Sequence, residues 1–302
     1  MSATTRWRDT QSNDFKTVLE KLERNAPDDE RTSSTYWINF HNKKCFEENQ
    51  EILLNNETVT YNMIHYRYDQ MTVQETQAED RPMTKSGHII VYSYRGAINY
   101  IVDQNSRAKK LLRKLLGYNK NNEISKNDFD FPEDFFVWLV NRVYNSEVVI
   151  ESASDNETVM TLEEIKGIRG DTEDQQTKVS TSGESVMNVI STLSFLLESR
   201  KLNQVILKMN YTGHENICVK LQRATVEYLR PYKGIFENDN SDELTAKLYL
   251  VLYLEILPIL EQEYRTNIED EIWNQKAYVD FLNGLKDSII EKIESKIETI
   301  NN

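Results

Sequence analysis

The sequence predicts an α+β fold: an N-terminal antiparallel β-rich part with helices, followed by a β-hairpin and a C-terminal helical part with two long helices. Three observations carry this. Runs rich in β-branched and aromatic residues crowd positions 34–103, as strands require. Apolar residues recur at threes and fours through 241–300, the period of amphipathic helices. Strands and helices come in blocks, without the regular β-α-β alternation of a doubly wound sheet.

Taken in order, residues 13–25 place Phe15, Val18, Leu19 and Leu22 at helical spacing, and Pro27 with the polar run after it ends that helix. Residues 1–32 thus read as an N-terminal helix with a tail. A β-rich α+β domain follows over 33–151. Its strands are "STYWINF", "ETVTYNMIHYRYDQMTV", "HIIVYSY" and "AINYIVD", the last two joined by a tight turn at Arg95-Gly96. Tyr61, Tyr66, Tyr68, Tyr92, Tyr94 and Tyr100 fall in these strands, either lining a groove or burying their rings with the hydroxyls wet. A basic helix over 104–117 stops at Gly117. A second helix spans 130–146, with Pro132 and acidic residues at its start, and "EVVIES" reads as a strand.

Residues 152–182 lose the apolar pattern and read as a connecting segment. The C-terminal α+β domain, 183–302, is mainly helical. It opens with a helix over 184–201, then strands "LNQVILKMNY" and "HENICVKLQ" about a turn at Thr212-Gly213. Ser241, before Asp242 and Glu243, has the chemistry of an N-cap. The helix that follows is apolar on nearly every face, so burial with a bend at Pro258 is expected. The last helix, 268–300, aligns Ile272, Val279, Leu282, Leu285, Ile289, Ile293, Ile297 and Ile300 in one stripe that needs a partner surface.

Composition excludes several function classes. The formal net charge is −13, so attraction of nucleic acid or anionic lipid is not expected from the whole surface and would have to come from a local patch. Cys45 and Cys218 are the only cysteines, and two thiols so far apart in the sequence lead us to expect neither a disulfide framework nor a thiolate metal site. No apolar leader opens the sequence, and the most apolar run, 248–260, is too short to span a bilayer, so a cytoplasmic protein is expected. With nine glycines there is no GxxxxGK[ST] or GxGxxG phosphate loop; "KGIRGDTED" at 166–174 reads as a flexible turn. GxSxG, HxxxH and CxxC are absent too, and no resident cofactor or metal is expected.

Two patterns carry chemistry. The first is "SRAKKLLRKLLGYNK" at 106–120, with six positive charges and no negative one. Ala108, Leu111, Leu112, Leu115 and Leu116 form its inward face; Arg107, Lys109, Lys110, Arg113 and Lys114 crowd the remaining arc, with Lys120 just beyond. Like charges three and four apart repel, so compensation is expected either from the acidic stretch 128–134 or from an external anion. The second is an acid followed by E-x-K: Glu151 or Asp155, then Glu164 and Lys166. Carboxylates so placed would hold Mg²⁺ and the lysine would stabilise an attacking water. Thr161 with Glu164 also fits a helix capping box.

The expected function is non-catalytic binding or regulation. An anionic partner such as nucleic acid would meet the basic helix, and a protein partner or second copy would meet the C-terminal helices. The Lys-, Asn-, Glu- and Ile-rich composition is that of low-GC bacteria and their phages, which suggests a phage–host conflict system and antiviral defence. The alternative is a metal-dependent nuclease or phosphodiesterase built on Glu151, Asp155, Glu164 and Lys166.

Overall fold

The computed structural model describes residues 3–31, 34–72, 81–104, 106–120, 122–127, 129, 131–151, 158–171, 178–183, 187, 190–198 and 201–301. The α+β class holds, with two separate antiparallel sheets and helices set between and after their strands. The chain forms two compact units. Ser2–Asp128, with Asp239–Glu255, make the first; Phe129–Asn238, with Ile256–Asn302, make the second.

The first unit is built on β1 (Thr5–Asp9), β2 (Thr35–Lys44), β3 (Gln50–Leu54), β4 (Glu57–Thr72), β5 (Arg81–Tyr94), β6 (Ala97–Val102) and β7 (Ile124–Lys126). Their order is β2-β4-β5-β6-β1-β7, with β3 following β2 along the same edge of β4. Arg95 and Gly96, at φ 51° and 70°, make the expected tight hairpin turn. One face of the sheet buries Ile64, Tyr66, Ile89, Val91, Tyr100 and Val102 against α1 (Phe15–Glu23) and α2 (Ala108–Leu116). The N-terminal stretch is not a tail: β1 lies between β6 and β7, with Thr5, Trp7 and Asp9 buried. Five of the six expected tyrosines, all but Tyr94, are buried and do not keep their hydroxyls in solvent. Tyr66 donates to Asp103 at 2.7 Å and Tyr100 to Asp9 at 2.6 Å, both buried.

The second sheet comprises β8 (Val149–Glu151), β9 (Thr158–Asp171), β10 (Lys178–Ser182), β11 (Lys201–Tyr211), β12 (His214–Gln222) and β13 (Thr225–Gly234), in the order β10-β9-β11-β12-β13 with β8 on β9. The expected connecting segment thus supplies two strands, and β9 is an interior one that buries Met160, Leu162, Ile165 and Ile168. Gly167 and Gly170 lie within it rather than in a turn. Helix α3 (Glu133–Tyr144) packs on β9 and β11. The helix expected over 184–201 is α4 (Ile190–Glu198), and residues 184–186, 188–189 and 199–200 lie outside the described residues.

The long helical stretch starts at α5 (Ser241–Val251), whose cap is Asn240 rather than Ser241: its side chain accepts from the N–H groups of Asp242 and Glu243 at 3.1 and 3.0 Å. A π-helical turn, Leu252–Ile256, precedes α6 (Leu257–Glu269). Proline 258 explains it, because proline lacks an N–H and clashes with the carbonyl four residues back. That carbonyl, on Leu254, instead accepts from the Asn55 side chain at 2.7 Å. Helix α7 (Gln275–Asn301) begins later than expected, after a break at 270–274. Of the expected stripe only Leu285 is buried among the described residues, whereas Ile272, Val279, Ile293, Ile297 and Ile300 are exposed; Phe281, outside that stripe, is buried.

His214 in β12 is 4% exposed, shares a 2.7 Å hydrogen bond with Tyr232 and lies against the Phe236 ring. Burial pushes its pKa down to about 4. Below pH 6.5 the unfolded chain takes up a proton that the folded chain refuses, so this contribution is full above 6.5 and is lost as pH falls through about 4. Urea titrations at pH 7 and 4.5 are expected to show the wild type losing about 2–3 kcal/mol relative to His214→Phe. A constant gap between the two proteins would refute it.

Candidate functional site

Helix α2 forms because its apolar residues repeat at threes and fours. Ala108, Leu111, Leu112, Leu115 and Leu116 are all buried. Gly117, at φ 69°, ends it in the left-handed conformation: the N–H of Tyr118 donates to the Arg113 carbonyl at 2.9 Å and that of Gly117 to Lys114 at 3.3 Å. With the apolar face fixed inward, the cations take the outer arc.

The repulsion among them is met mostly by aromatic faces. Lys110 Nζ stands 4.4 Å from the centroid of the Trp37 ring, and Lys114 Nζ is 5.8 Å from that of Phe40. Trp37 and Phe40 pack in turn on Tyr68, at centroid distances of 4.8 and 5.3 Å. A ring quadrupole offers each cation about 0.5–1 kcal/mol where solvent remains near. Lys114 also pairs with Asp29, and Arg107 donates to the Gln70 side-chain oxygen.

Arg113 has its Nε buried without a hydrogen-bond acceptor among the described residues. Lys109 has no carboxylate partner among them, and Lys120, past the cap, is exposed. Two acids of the stretch expected as internal counter-charge have other partners. Glu133 pairs with Arg223 and Asp134 accepts from Tyr264 at 2.6 Å, while Asp128 and Asp130 lie outside the described residues.

The acid-and-ExK arrangement is only partly assembled. Glu164 and Lys166 share one face of β9 and pair with each other at 3.4 Å. Glu151, however, stands opposite Thr158, six residues along β9 from Glu164 and so about 20 Å away. Asp155 lies outside the described residues. Thr161 is in a strand opposite Asn210, so the capping-box reading falls. The neighbouring Glu163 is tied to Lys208 and, at 2.6 Å, to Asn210. Among the described residues these groups do not converge on a Mg²⁺ position.

The sequence showed the cations but not the rings beneath them, since Trp37 and Lys110 are brought together only by packing. No protein-family model matches the sequence, and no curated protein matches it. No helix of the described residues is long and apolar enough to cross a membrane.

Proposed function

We propose that this chain is a non-catalytic binding protein that holds an anionic macromolecule, nucleic acid foremost, on the outer face of α2. One observation carries the reading. Of the six cations at 106–120, Lys114 alone has a carboxylate partner among the described residues. Arg107, Lys109, Lys110, Arg113 and Lys120 keep their charge for another molecule, on a chain whose net charge of −13 repels anions elsewhere. The exposed isoleucines of α7 support a second surface, for a protein partner or another copy of the chain. The composition supports a phage–host conflict as the setting.

The test is fluorescence anisotropy of a labelled DNA or RNA duplex across a salt series. If four to five phosphates are neutralised, log K is expected to fall against log[salt] with a slope of about −4. Joint Lys109→Glu, Lys110→Glu and Arg113→Glu substitution is expected to abolish binding and leave the circular dichroism unchanged. Lys114 stays untouched, because reversing it would break its pair with Asp29. Full affinity in the reversed protein, or no binding by the wild type at low salt, would overturn the proposal.

A further inference from the structure

Cys45, His65 and Asp242 meet on the first unit, away from α2. Cys45 directly follows β2, and its N–H donates to the Met63 carbonyl of β4 at 2.8 Å. Lys43 is paired with His65 in the same ladder, so Cys45 and His65 point to one face of the sheet from adjacent strands, on a diagonal. Asp242, in the first turn of α5, brings a carboxylate over that face. His65 Nε2 and Asp242 Oδ2 are 3.0 Å apart, and the Cys45 sulfur lies with them so that all three atoms fall within 4.8 Å of one another. Three elements, separated by up to 197 positions in the chain, converge here.

We propose that these three side chains bind a zinc ion, with solvent in the fourth position. The donors are one sulfur, one imidazole nitrogen and one carboxylate oxygen, the set that a borderline-soft, tetrahedral ion takes. Bond lengths of about 2.0–2.3 Å place tetrahedral ligand atoms about 3.3–3.7 Å apart. The observed separations, 3.0 Å for one pair and within 4.8 Å for all three, bracket that range. A thiolate and a carboxylate also balance the charge of a dication, leaving the site neutral. His88, directly opposite His65 in the β4–β5 register, has its Nε2 buried without a hydrogen-bond partner among the described residues. His65 and His88 also line a groove of about 410 Å³ together with His41, Arg67 and Ser86, which gives solvent a route to this part of the sheet.

Cobalt(II) titration of the full chain, stripped with chelator, tests the proposal. The expected result is one equivalent bound, with thiolate-to-cobalt charge-transfer absorption in the near ultraviolet and the strong visible bands of a four-coordinate ion, both removed by zinc. Cys45→Ser is expected to abolish the charge-transfer band. Cys218→Ser is expected to leave it, since Cys218 belongs to the second unit. His65→Ala, at a side chain 48% exposed and so harmless to folding, is expected to weaken binding more than tenfold. No band in the wild-type protein, or the same band in Cys45→Ser, would overturn the site.

Discussion

Replacing Asp9 with alanine is expected to destabilise the first unit by about 4 kcal/mol, at one to three for each buried donor left without its acceptor. Asp9 is 2% exposed and saturated. Its Oδ2 accepts from Tyr100 at 2.6 Å and Tyr118 at 2.9 Å; its Oδ1 accepts from the N–H groups of Gln11 and Ser12 at 2.8 and 2.9 Å. Burial and the Asp9 interaction push both phenols well above the usual tyrosine range, so each remains a protonated donor. The alanine variant strands two buried phenol donors, with two part-buried N–H groups that solvent can still reach. Chemical denaturation measures the loss, and Tyr100→Phe with Tyr118→Phe in the same background is expected to restore part of it, as coupled sites do. A loss below about 1 kcal/mol would mean that water reaches these groups, contrary to their burial.

Trp138→Ala in α3 is expected to cost the second unit about 3–5 kcal/mol, the range for deleting a large buried aromatic. Trp138 is 1% exposed, lies tilted on Phe135 and meets Tyr264 of α6 edge-on, with ring centroids 5.5 and 5.4 Å away. Its indole N–H donates to the Asn267 side chain at 3.1 Å. Arg142, one turn on, donates to Glu263 at 2.7 Å, Asn267 at 3.2 Å and the carbonyls of Glu147 and Val149 at 2.7 and 3.0 Å. The cavity would therefore open beside a polar network that tolerates little movement. The urea midpoint should drop with an unchanged slope, and Trp138→Phe should recover most of the loss. An equal loss in both variants would place the energy in the Asn267 hydrogen bond instead of the packing.

What was legible in the sequence was regular periodicity. Helices α1 and α2 and strands β4 to β6 carry clean apolar repeats, and the cap at Gly117 and the turn at Arg95-Gly96 are where the sequence puts them, although β5 starts at Arg81, ahead of the expected His88. Strand β9 was lost for a physical reason. Its buried residues Met160, Leu162, Ile165 and Ile168 step by two, three and three, because register shifts interrupt its pairing with β11. That spacing matches neither period. Strand β1 was hidden by composition, since "TRWRD" looks like surface and buries an aspartate whose two phenol partners are 91 and 109 residues away. The α2 cations could be read directly, but not which of them stay available. That depends on Asp29, Trp37 and Phe40, set in place by tertiary packing. The Cys45–His65–Asp242 group had no linear signature, because its donors share a sheet face and a helix start instead of a motif.

The position of β1 has a consequence for biosynthesis. Trp7 is laid between Tyr100 and Lys126, so translation delivers the strand 93 and 119 residues before its two neighbours. At ribosomal speeds of about 5–20 residues per second, it waits roughly 5–20 s with its hydrogen-bonding edges open. The earliest of these strands to be made is then among the last to be enclosed, and a chaperone that shields it during that interval would raise the yield of native protein.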